Sequence, residues 1–133
     1  MNFSVNWLAV IVAAIASMAL GFAWYMALGK QWMAALGKSG QQMNSRDPTP
    51  FIWAFVVQLV MAYFLSALTP ALYGAITIWG GILTGLQMWL GFVITSMILN
   101  HRYQGASWAL TLIDGGYLLG VLIVQGLVIG LFG

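Results

Sequence analysis

Residues 48–100 contain no Asp, Glu, Lys, Arg or His. A stretch of that length without charge cannot furnish the water-facing surface of a soluble domain, because positions on every side of it are apolar or weakly polar. The same holds for residues 1–29, and residues 103–133 carry a single charge, on Asp114. Over its 133 residues the chain is 62% hydrophobic and 5% charged, with a mean hydropathy of +0.96. Its expected solvent is lipid. Cysteine is absent, which removes disulfides, thiolate nucleophiles and Cys-ligated metals from consideration.

A helix needs roughly 20 apolar residues to cross about 30 Å of hydrocarbon. Dividing the chain at its charged and proline-rich breaks predicts an all-α integral membrane protein. It is a single-domain bundle of four transmembrane helices over residues 1–133, with spans at about 3–28, 51–68, 75–99 and 109–132. "AIAS" at 14–17 has the small residues of a signal-peptide cleavage site. No basic residue precedes it, however, and the apolar run continues to Leu28, so a retained span is expected. The loop 29–50 holds Lys30, Lys38, Arg46 and Asp47 and closes in Pro48 and Pro50, which suit the start of a helix. Asp47 beside Pro48 reads as turn chemistry. Residues 30–36 are expected to form either a short interfacial helix, with Trp32 at the headgroups, or a flexible loop.

Lys30, Lys38 and Arg46 fall between the first two spans, and His101 and Arg102 between the last two. The positive-inside rule then predicts cytoplasmic basic loops with both termini outside, in a bacterial inner membrane. Phe3, Trp7, Tyr73 and Trp79 are expected to mark the outer interface. Trp24, Tyr25, Trp32, Trp53, Tyr103 and Trp108 are expected at the inner one.

Apolar helices gain nothing hydrophobic by pairing in lipid, so close backbone approach and hydrogen bonds must join them. Small or polar residues recur at helical spacing: Ala13, Ser17 and Gly21; Ala54, Gln58, Ala62 and Ser66; Thr77, Gly81, Thr84, Gly91 and Thr95. The last span offers Gly116 with Gly120 and Gly126 with Gly130. At 100° per residue Thr111, Asp114, Leu118, Val121 and Gln125 share one face of it, and Gly116, Gly120 and Gly130 lie nearly opposite. A helix with a polar face and a glycine face is either the inner helix of the four or packs on another copy or another protein. The second is expected, which makes the partners the bilayer and a homo-oligomer or larger membrane complex.

Asp114 lies about 8 Å inside the last span. Arg102, His101 and Lys30 are its candidate partners, with Tyr117 one turn onward. Two roles stand open. It is a clamp accepting hydrogen bonds from Arg102 or from a tryptophan or tyrosine, or a group whose protonation binds a proton, a cation or a polar headgroup. Gln58, Gln87 and Gln125 are expected to pair with each other or with Thr84 between helices. His101, the only histidine, is read as a solvated or lipid-phosphate-contacting loop residue, and a multi-histidine metal site is excluded. No catalytic set assembles, no glycine run cradles phosphate, and four basic residues are too few for nucleic acid. Neither enzyme activity nor a cofactor is expected.

Three segments together carry a resemblance that covers nearly the whole chain. They are "WYMALGKQWM" (Trp24, Tyr25, Gly29, Lys30, Trp32), "GLQMWLGFVITSMILN" (Trp89, Gly91, Phe92, Thr95, Asn100) and "GASWALTLIDGGY" (Gly105, Trp108, Ile113, Asp114, Gly116, Tyr117). The combination resembles the bacterial and fungal membrane proteins grouped as domain of unknown function 1761. That family pattern reads Trp-Tyr-Gly-Pro after the first span, where Met26 and Ala27 replace Gly-Pro here. The resemblance implies a small four-helix membrane protein with no assigned role. Its motif residues Trp24, Tyr25, Lys30, Trp32, Asn100, Trp108, Asp114 and Tyr117 fall near the inner interface and make the candidate polar cluster. The expected function is a non-enzymatic membrane component, an accessory subunit or a self-assembling oligomer. Its rivals are a minimal transporter with Asp114 and Gln125 along its path, and a lipid-binding protein at the cytoplasmic cluster.

Overall fold

The computed structural model describes residues 5–37 and 48–133. The expectations for Phe3, Lys38, Arg46 and Asp47 lie outside the described residues. Four helices are long and apolar enough to cross a membrane, and the chain is a multi-pass integral membrane protein. They are α1 (Trp7–Leu36), α2 (Thr49–Tyr73), a third span made of α3 (Ile78–Met88), a π-helical turn (Trp89–Val93) and α4 (Ile94–Gln104), and α5 (Trp108–Phe132). Successive spans run antiparallel.

The helices extend beyond the apolar runs because their ends are set by caps, not by hydropathy. Asn6 opens α1 by accepting from the amides of Leu8 and Ala9, Thr77 opens α3 through Gly80, and Ser107 opens α5 through Leu110. Gly37, Gly74 and Gly105 close α1, α2 and α4 at φ of 76°, 81° and 70°, a conformation that costs glycine nothing. Residues 30–36 therefore continue α1 without a break, in place of an interfacial helix or loop, and Lys30 is carried on an exposed helical face. Likewise α2 passes through Pro70 to Tyr73, since in lipid no water rewards ending the helix at the proline. His101 and Arg102 sit in the last turn of α4 and not in a loop, where the charge of Arg102 suits the helix C-terminus.

α5 is the inner helix. Its principal neighbours are α1 and α3, and α2 closes the bundle against α1, α3 and α5. The expectation that its glycine face meets another copy or another protein is corrected: both glycine pairs are occupied within the chain. A Cβ on Gly126 would collide with the backbone of Gly81, and one on Gly130 with that of Ile78. A Cβ on Gly116 would meet the Trp24 ring at 3.0 Å, and one on Gly120 the Leu20 side chain at 2.8 Å. The pairs serve different neighbours, α3 and α1. Gly91, expected in the third seam, faces open space in the π-helical turn with nothing within 4 Å, and Thr95 is also exposed. The small residue that continues the seam from Gly81 is Gly85, four positions on, against the Leu122 backbone.

Candidate functional site

A chain of polar side chains runs through the interface of α1, α2 and α5. At its deep end Gln125 donates from Nε2 to Ser17 Oγ at 3.1 Å and to the backbone carbonyl of Gln58 at 2.9 Å. Ser17 donates to Gln58 Oε1, and Gln58 donates from Nε2 to the Tyr117 hydroxyl at 2.9 Å. Ser17, Gln58 and Gln125 are all buried. The Tyr117 ring meets the Tyr25 ring edge-on at 5.1 Å between centroids, and the Tyr25 hydroxyl donates to Asp114 Oδ1 at 2.6 Å. The Gln58 amide and the Gln125 Nε2 are thus held by groups from other helices, while the buried Gln125 Oε1 has no hydrogen-bond partner among the described residues.

Asp114 therefore takes a tyrosine as its partner, one of the two partner types open for the clamp. The basic candidates lie elsewhere. Arg102 donates to Thr111 Oγ1 at 2.9 Å and to the carbonyls of Ala106 and Ser107, and its guanidinium lies 3.6 Å from the Trp108 ring centroid. His101 Nδ1 shares the Thr111 hydroxyl at 2.7 Å. This second cluster locks the α4–α5 turn, and Ser107 ties it to α1 by donating to the Ala35 carbonyl at 2.9 Å. Lys30 and Asn100 are exposed on their helices.

Other expected positions shift as well. Gln87 is exposed and accepts from the Tyr73 hydroxyl at 2.6 Å, in place of another glutamine or Thr84. Thr84 bonds back to its own helix at the Gly80 carbonyl. Trp24 is a wedge between helices: its ring covers Gly116 and its Nε1 donates to the Ile113 carbonyl at 3.0 Å. Trp89 makes the matching contact from the π-helical turn, donating to the Gly115 carbonyl at 2.8 Å.

Beside Tyr25 and Tyr117 the helices stand apart. A cleft of about 480 Å³ opens between α1 and α2, walled by Phe22, Tyr25 and Trp32 of α1, by Phe51 and Ala54 of α2, and by Tyr117 of α5. Phe22 and Phe51 stack across it at 5.6 Å, and Trp32 meets Tyr25 edge-on at 5.6 Å. The sequence reading missed Phe22 and Phe51. A phenylalanine in a membrane helix looks the same whether it faces lipid or a cleft, so no signal marked them. Among the described residues no group of three or more His, Cys, Asp or Glu could hold a metal.

The family model described as a protein of unknown function, DUF1761, matches residues 8–130. No curated protein and no solved structure matches the chain.

Proposed function

The chain belongs to the DUF1761 family of proteins of unknown function, and on that premise we propose that it is a non-enzymatic membrane component that holds a small amphipathic molecule within the bilayer. The cleft between α1 and α2 carries this reading. Its volume of about 480 Å³ falls among ligand sites, which run from roughly 300 to 1,000 Å³ and combine apolar walls with a few polar groups. Here the walls are aromatic and aliphatic, and Tyr25, Trp32 and Tyr117 are the lining residues whose side chains carry a polar group.

Two observations favour binding over the rival roles. The glycines that a larger complex would grip are filled by α1 and α3. The polar chain ends at Gln125, beyond which α5 reads "GLVIGLF", which favours a one-sided site over a path. Lys30 and Arg102 mark the end nearest the cleft, and the positive-inside rule supports a cytoplasmic side for that end, with a bacterial inner membrane as the proposed location.

The test is native mass spectrometry after gentle extraction, on the unmodified chain and on Ala54→Trp, which fills the cleft. The unmodified chain is expected to carry a small bound species that Ala54→Trp loses. Equal retention by both would end this reading. Foreign subunits at fixed stoichiometry would restore the accessory role.

A further inference from the structure

The cleft has a charge character that its apolar walls conceal. Asp114 is the one acidic side chain among the described residues, and it reaches the cleft through Tyr25, whose hydroxyl it accepts at 2.6 Å. A phenol donating to a carboxylate is polarised, with electron density pushed into its ring. That ring sits between Trp32 at 5.6 Å and Tyr117 at 5.1 Å, both edge-on, and Phe22 stacks on Phe51 across the same cleft. Aromatic faces carry negative potential and attract cations, most strongly away from water. Among the described residues the two basic side chains at this end are Lys30, exposed on its helix, and Arg102, taken up by Thr111, Trp108 and two carbonyls.

Resting on the reading of the cleft as a binding site, we infer that its occupant is a lipophilic organic monocation, an onium group on an apolar frame, held among the rings of Tyr25, Trp32 and Tyr117 with Asp114 as the compensating charge. An anionic or zwitterionic headgroup would bring a phosphate among the same rings, with Asp114 just behind Tyr25, which disfavours it.

The test uses the full chain in nanodiscs of uncharged lipid and two probes of nearly equal shape, tetraphenylphosphonium and tetraphenylborate, each measured as retention above empty discs. The protein is expected to retain the phosphonium and not the borate. Asp114→Asn should weaken phosphonium retention about tenfold, and Trp32→Leu by several-fold. Should Asp114→Asn fail to fold, the comparison of the two ions on the unmodified chain still decides. Equal retention of both ions, abolished together by Ala54→Trp, would overturn the charge selectivity and leave the cleft as a binding site. Preference for the borate would overturn the inference outright. No retention of either ion, nor of neutral tetraphenylmethane, would overturn the binding reading with it.

Discussion

α5 meets its two sides in opposite ways. Toward α3 the contact is backbone on backbone, with Gly81 on Gly126 and Gly85 on Leu122, too close for any side chain to stand between. Toward α1 and α2 side chains make the contact, Tyr25, Tyr117, Gln58, Ser17 and Gln125 with one another and Trp24 with the Ile113 carbonyl. In lipid the first arrangement gains dispersion contact and loses all interior room, while the second fixes register through directional bonds and leaves room for a cleft between α1 and α2. The cleft lies on the second side. A small bundle obtains a rigid wall and an open wall from one helix by changing what projects from each face.

The largest effect that would break this contrast is at Gly126. Gly126→Ala places a methyl group against the Gly81 carbonyl, and neither backbone can yield without separating α3 from α5. Overpacking an ordinary core costs about 1–3 kcal/mol. Here the opposing atoms are main chain, and the loss is expected to reach or exceed about 3 kcal/mol. Denaturant titration of the reconstituted protein measures it. A variant as stable as the parent would show that the α3–α5 seam is not close-packed.

The open side predicts a smaller loss. Gln125→Leu deprives Ser17 and the Gln58 carbonyl of their donor and should cost about 1–2 kcal/mol. Paired with Ser17→Ala in a double-mutant cycle, the two changes should be clearly non-additive, because both remove the same bond. Strict additivity would mean that the network is not one unit.

How far the sequence discloses this arrangement depends on the range of the physics involved. Span number and type were legible because hydropathy is local: four apolar runs gave four helices. Helix ends were displaced because Gly37, Gly74 and Gly105 stop helices by conformation, while Lys30 and Pro70, which look like breaks, do not stop them. The sequence grouped Trp24, Tyr25, Trp108 and Tyr117 with Asp114; Tyr25 bonds it and meets Tyr117, whereas Trp108 stacks with Arg102 in the second cluster. The partner of Asp114 was not singled out: Tyr25 is 89 positions away, and only the α1–α5 register selects it over Arg102. The wheel found the glycines of α5 but not who covers them, because a single helix carries no record of its neighbours.

Tyr25→Phe sharpens the open side at its charged end. The loss of one donor to Asp114 should cost about 1 kcal/mol, in the range of membrane hydrogen bonds, and Asp114→Asn should add less in that background than in the parent. The T-shaped contact of ring 25 with Tyr117 survives the change, so the cleft keeps its shape and only its polarisation falls. A loss well above about 2 kcal/mol would mean that the hydroxyl also holds the helices together.

The smallest effect comes from Gly91, and it tests whether glycine matters in this protein by identity or by position. Gly91 shares the third span with Gly81 and Gly85, but it stands in the π-helical turn, where an added Cβ meets nothing within 4 Å. Its backbone φ is negative, since the positive-φ glycines are Gly37, Gly74, Gly105 and Gly133. Alanine is therefore conformationally free to replace it, and helix propensity favours alanine by up to about 1 kcal/mol. Gly91→Ala should leave stability unchanged or raise it by up to about 1 kcal/mol, whereas Gly81→Ala, ten positions earlier in the same span, should unfold the seam. Equal damage from both would mean that the third span needs glycine for its own conformation, and the contrast between the closed and open sides of α5 would lose its physical basis.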